Sequence, residues 1–170
     1  MEPYPNSVVI IAAVALNSAI GKDGKLPWEG KLPSDLRRFK ELTMSKQLVM
    51  GRRTFESLPA KKLPGRDIIV LTKGGGMDTP RVRYAPCLKE ALAMPRISRD
   101  IYIAGGAGVY REALKYAHKM LITTVSLRPE GDTFFPDFGP EWDVVNAPRF
   151  ERCPGDAYDS SFAIWVRMCW

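Results

Sequence analysis

The chain has 170 residues, 45% of them hydrophobic and 26% charged, a balance that suits one globular domain over residues 1–170 and excludes a disordered or fibrous chain. Its formal charge of +6 is uneven: residues 1–119 hold 21 Lys and Arg against 11 Asp and Glu, whereas residues 120–170 hold 4 against 8. No basic run, zinc-finger spacing or RNA-recognition signature accompanies that charge, so the expected partner is a small anionic ligand held mainly by the first two-thirds of the chain, and not a nucleic acid.

The opening "MEPYPNS" carries an acid and no Lys or Arg ahead of the apolar run "VVIIAAVAL". That run is too short to cross a bilayer and has the wrong flank for an export signal. It reads as a buried first strand, and the protein as cytoplasmic with no membrane contact. "NSAIGKDGKLPWEGKLP" follows, a connection long enough to be a lid or binding loop. "SDLRRFKELT" then predicts a helix with Ser34 as its N-cap and Leu36, Phe39 and Leu42 on one face. Asp35 shares that face, which places a carboxylate on the side that should be buried. The simple explanation is an acid in the first turn, stabilised by the helix's partial positive charge by under about 1 kcal/mol.

The runs "QLVMG", "RTFESL", "DIIVLT", "VRYA", "LKEALAM", "IYIAGG", "VYREALKYA" and "MLITTVSL" alternate between strand-like and helix-like patterns. Such alternation predicts an α/β fold with a mostly parallel sheet, and unbroken apolar strands predict helices on both faces. In the tail, "EWDVVNAPRFE" and "SSFAIWVRMCW" read as two strands across the turn-rich "CPGDAY", giving an antiparallel C-terminal hairpin. Cys87, Cys153 and Cys169 have no metal spacing, which points to a reduced compartment without disulfides. His118 has no second metal ligand near it and reads as structural or superficial; no metal is expected.

Open α/β sheets bind ligands beyond the carboxyl ends of their strands. Three such ends here suit a nucleotide. Gly51 closes "VMG", followed by Arg52, Arg53 and Thr54 at a helix start. Thr72 and Lys73 follow Leu71. Gly105 and Gly106 precede the helix of Ala107, Gly108, Val109 and Tyr110, and let a backbone approach a ligand closely. Each feature alone is as compatible with a turn or a solvated surface; together they favour a dinucleotide.

"AIGKDGKLPW", "LPSDLRRFK", "VMGRRTFESL", "LPGRDIIVLT", "IAGGAGVY" and "EGDTFFP" occur in the order found in dihydrofolate reductase, which the chain resembles over essentially its whole length. The resemblance implies an eight-stranded mixed sheet flanked by helices, NADPH as cofactor, and hydride transfer to C6 of dihydrofolate with protonation at N5. It implies antifolate inhibitors as further ligands and a monomer. Asp35 would grip the pterin and Thr123 share its hydrogen bonds, while Leu26 and Trp28 belong to a loop that closes over the site. Ile11, Ala12, Leu36, Phe39, Leu58, Leu63, Ala104 and Tyr110 would line the substrate pocket. Arg66, helped by Lys40, would hold the glutamate tail. Ala13, Ile20, Gly21, Gly51 to Thr54, Leu71 to Lys73 and Ala104 to Tyr110 would contact the cofactor. Three positions depart from the family pattern: Ala104 stands where a branched aliphatic residue is usual, Leu121 where an aromatic is common, and Arg38 where many relatives have an aromatic or apolar residue. The alternatives are a pyrimidine or pterin reductase on the same fold and an inactive nucleotide-binding relative.

Overall fold

In the structure, a computed structural model that describes residues 7–59 and 63–168, the first apolar run forms β1 (Val8–Ala15). The chain continues through β2 (Ala19–Gly21), α1 (Pro33–Thr43), β3 (Gln47–Gly51), α2 (Arg52–Ser57), β4 (Asp67–Leu71), β5 (Val82–Ala85), α3 (Leu88–Ala93), β6 (Ile101–Ile103), α4 (Ala107–Ala113), β7 (Lys119–Val125), β8 (Thr133–Phe134), β9 (Trp142–Val144) and β10 (Ser160–Arg167). Eight strands form one sheet in the order β5-β4-β3-β6-β1-β7-β10-β9. Pairing is parallel from β5 to β7 and antiparallel from β7 through β10 to β9.

The sheet is covered on both sides because successive side chains of β1 point to opposite faces. Val8, Ile10, Ala12 and Val14 pack with Leu88 and Ala91 of α3 and Tyr110 and Ala113 of α4. Val9 and Ile11 face Phe39 and Leu42 of α1 and Phe55 of α2. Central residues such as Ile10, Leu48, Ile69 and Ile103 are fully buried, each worth about 1.5–3 kcal/mol over exposure. A third cluster, formed by Trp28, Leu32, Ala15, Ala19 and Val125, ties the long segment after β1 onto the strand ends.

Several expectations need correction. Ser34 is not the cap of α1: the helix starts at Pro33, whose fixed φ suits its first position, and Leu32 is the N-cap without a side-chain bond. Asp156 does the work from far along the chain. Its Oδ1 accepts from the Ser34 backbone N–H at 3.0 Å and its Oδ2 from the Ser34 hydroxyl at 2.5 Å. Leu36 is 57% exposed, so Phe39 and Leu42 alone carry the apolar stripe into the core. The expected loop after β1 contains β2, which pairs antiparallel with β8 as a separate two-stranded sheet.

The hairpin's first strand is only Trp142–Val144, because the Asn146 side chain takes over the ladder. Its Nδ2 donates to the Phe162 carbonyl at 2.7 Å and its Oδ1 accepts from the Ile164 N–H at 2.8 Å, just ahead of Pro148. His118 is exposed, and its Nδ1 accepts from the Val8 N–H at 3.1 Å, a structural contact at the start of β1. Cys87 and Cys153 are free thiols; Cys169 lies outside the described residues.

Candidate active site

Strand β6 lies between β3 and β1 and ends at Ile103, opposite Val49 and Ile10. Its neighbours run on to Gly51 and Ala15, so the sheet opens beyond β6. The connections from β1 to β3 and from β6 to β7 pack on opposite faces, making this opening the crevice where open α/β sheets take ligands. The chain turns into it through Gly105, whose φ of +116° lies in the region that favours glycine. The Gly51 N–H donates to the Gly105 carbonyl at 2.9 Å, and the Ala104 N–H to that of Val49 at 2.9 Å. A Cβ on Gly106 would stand 3.4 Å from the Thr54 hydroxyl, and one on Gly51 would stand 3.3 Å from Val109. Bare backbone therefore lines this wall, leaving room for a flat or phosphorylated group against it.

Across the crevice, α1 presents Asp35 with its side chain 16% exposed. Burial raises its pKa above the ordinary 3.8; the Thr123 hydroxyl and then Arg38 oppose that rise, and Asp156 adds to it. Arg38 Nη1 stands 3.8 Å from Asp35 Oδ1 and donates to Thr123 Oγ1 at 3.3 Å. Thr123 pairs in register with Ala13 on β1, so the acid faces the sheet just where β1 passes the end of β6. The Tyr110 hydroxyl donates to the Ile11 carbonyl at 2.9 Å, and burial, with Asp35 nearby, keeps that phenol protonated.

Ile11 and Ala12 are buried on β1, and Phe39, Leu58, Leu63 and Ala104 are half-buried. Leu36 and Lys40 are exposed on α1. Arg66 is 4% exposed, yet among the described residues its guanidinium donates only to neutral oxygens, the Leu63 carbonyl at 3.3 Å and Thr43 Oγ1 at 3.4 Å. No carboxylate among the described residues pairs with it, and burial lowers its pKa.

On the other flank, Arg52 is held by Glu56 at 2.8 Å, whereas exposed Arg53 has no ion pair among the described residues. Beyond the half-buried Leu71, the Thr72 hydroxyl accepts from the Gly74 N–H at 3.3 Å and starts a turn that leaves Lys73 exposed. Ala13, Ile20 and Ala107 are half-buried, and Gly108 is open to solvent. Gly21 has a packing reason to be glycine, since a Cβ there would stand 3.2 Å from Thr133 of β8. Trp28 is 2% exposed and serves as core, while Leu26, two residues before it, is 39% exposed.

Residues 7–167 match the model of the family described as dihydrofolate reductase. The chain belongs to the dihydrofolate reductase family. It is 43% identical over 131 residues to a dihydrofolate reductase type 3 of Salmonella typhimurium, covering 77% of this chain and 79% of the relative. It is 32% identical over 161 residues to a dihydrofolate reductase of Bacillus subtilis, covering 94% of each. Among solved structures, a dihydrofolate reductase from Enterococcus faecalis complexed with NADP(H) and RAB-propyl superposes with a TM-score of 0.84 at 32% identity, over 96% of this chain and 98% of that one.

Two residues around Asp35 give no signal in the sequence. Asp156 sits in a turn-rich segment like any solvated acid. Phe162 reads as one apolar residue of a strand, but its ring lies 4.7 Å from the Arg38 guanidinium. Only the β7–β10 register, which sets Phe162 beside Thr123, puts it here.

Proposed function

We propose that this chain reduces 7,8-dihydrofolate to 5,6,7,8-tetrahydrofolate with NADPH, supplying one-carbon metabolism, and that Asp35 is the residue on which the pterin is held. A carboxylate sunk at the floor of the crevice, beside a threonine hydroxyl and under an apolar wall, is the observation that carries this reading. The pterin's N3–H and 2-amino group form a paired donor edge, and an ionised carboxylate meets both with parallel, charge-assisted hydrogen bonds. Phe39, Leu58 and the exposed face of Leu36 would cover the rings. Arg66, a buried cation without a carboxylate partner among the described residues, is suited to the glutamate carboxylate.

The residues present also fit the cofactor. The bare backbone at Gly51, Gly105 and Gly106 leaves space that any Cβ would narrow, and Arg53, exposed and without an ion pair among the described residues, offers a guanidinium for a phosphate. When bound, NADPH supplies the hydride, and the protein supplies position and electrostatics. Asp35 occupies the far edge of the pterin from N5, so it stabilises positive charge on the ring while water carries the proton. Asp35 together with Arg66 favours dihydrofolate over a smaller pyrimidine, which would need no tail cation.

Absorbance of NADPH with dihydrofolate present tests the reading. Oxidation that depends on dihydrofolate and is lost in folded Asp35→Asn is expected. Oxidation with a ribosylaminopyrimidine instead would overturn it.

A further inference from the structure

Asp35 needs a charge partner that does not use up its oxygens. Its acceptor sites must stay open for a ligand, yet its burial disfavours the ionised form. Arg38 lies one turn further along α1, with side-chain exposures of 27% and 16% for the arginine and the acid. On a solvated helix face such a pair would contribute little. Here the guanidinium has a built seat. Phe162 and Thr123 are direct partners on β10 and β7 and so share one face of the sheet. The ring lies 4.7 Å from the guanidinium carbon and the threonine oxygen accepts from Nη1 at 3.3 Å. From that seat Nη1 stands 3.8 Å from Asp35 Oδ1, near enough for Coulombic attraction but too far for a hydrogen bond.

We propose that Arg38, seated on Phe162 and Thr123, is a positioning residue that keeps Asp35 ionised without itself occupying a carboxylate acceptor site that the ligand needs. The inference rests on the reading of Asp35 as the pterin anchor. The other groups facing the acid do not substitute for Arg38. Asp156, beyond Ser34, repels the ionised form, and Tyr110 of α4 is neutral and committed to the Ile11 carbonyl. Thr123 gives the ionised acid its larger single support through one hydroxyl hydrogen bond, but it brings no charge, and its oxygen also accepts from Arg38. A lysine would keep the charge but lose the guanidinium's contact with the ring and the fixed fork of donors.

Carbon-detected NMR titration of the Asp35 carboxyl, without substrate, provides the test, together with the pH profile of kcat/KM for dihydrofolate. Arg38→Met should raise the carboxyl's midpoint. The acid limb of the profile should move to higher pH, with a several-fold loss of kcat/KM on the acid side that shrinks toward alkaline pH. Arg38→Lys should return the midpoint part of the way. Phe162→Leu, which keeps the charge and removes the seat, should raise it by less than Arg38→Met; these two variants carry the test if the methionine variant does not fold. An unchanged or lowered midpoint in the variants that fold overturns the proposal and leaves Arg38 as packing. Failure of the wild-type protein to oxidise NADPH with dihydrofolate would instead overturn the functional reading, a result separate from the titration.

Discussion

Replacing Asp35 by asparagine should make the ligand-free protein more stable and the enzyme nearly inactive. The carboxylate is 16% exposed and lies 3.8 Å from Arg38. At an effective dielectric near 20, the attraction at that distance is roughly 4 kcal/mol, while withdrawing the carboxylate from water costs several kcal/mol. The raised pKa decides between them: desolvation outweighs the favourable partners. The sign follows from linkage. A carboxyl whose folded pKa lies above the ordinary 3.8 contributes most to stability below 3.8 and loses that contribution as pH rises through the folded value. At neutral pH the amide should therefore stabilise the fold by on the order of 1 kcal/mol, or about 2–4 °C in Tm for a chain of this size. The advantage should vanish on acidification. Turnover should fall by about a hundredfold or more, the scale for losing one preorganised electrostatic group. Thermal unfolding at neutral and acid pH, with NADPH oxidation alongside, measures both. A folded variant that is less stable at neutral pH and still turns over normally would refute the reasoning.

Arg53→Ala should raise the KM for NADPH several-fold and leave that for NADH nearly unchanged, and high salt should compress the wild-type preference; equal losses for both cofactors would place the arginine elsewhere. Ala104→Ile should fill the half-buried wall that Ala104 forms against the β1–β6 core cluster and tighten a diaminopyrimidine such as trimethoprim by up to about thirtyfold, or about 2 kcal/mol, with a smaller effect on the KM for dihydrofolate. Weaker inhibition in that variant would mean that the wall is already filled. Asp156→Ala should cost about 2–4 kcal/mol in urea unfolding, because the Ser34 N–H and hydroxyl both lose a charged acceptor at the start of α1; a change under about 0.5 kcal/mol would show that water replaces it.

Local pattern carried much of the fold. The strands β1, β3, β4 and β6 are short apolar runs bounded by polar or glycine-rich residues, and Phe39 and Leu42 keep helical spacing. The strand ends at Gly51, Leu71 and Ile103 follow from the same boundaries. What was illegible depends on partners distant in sequence. Ser34 has the composition of a cap, but a buried aspartate from the other end of the chain takes up its own N–H and its hydroxyl. Strands β2 and β8 are three and two residues long, too short to leave a period. Leu36 fits the apolar stripe by spacing yet faces out, since no element packs over it. At the site, Asp35 was conspicuous as an acid on an apolar face, whereas the tie between Arg38, Thr123 and Phe162 needs three elements to meet.

The segment between β9 and β10 has a consequence for how the enzyme is made. It delivers Asp156 to the start of α1, and β10 then brings Phe162 beneath Arg38. Gly105 and Gly106 meet Gly51, Thr54 and Tyr110, all within the chain up to α4, and Tyr110 gains a later contact with Phe135, whereas the acid-bearing flank is finished only by residues 156–162. During synthesis the nucleotide half can therefore assemble first, and the folate half must wait for the last strand to leave the ribosome, a long-range closure of the kind that slows folding. Stalled nascent chains of increasing length should protect α1 from protease only once Phe162 has emerged; protection of α1 in chains stalled before Asp156 has emerged would contradict that order.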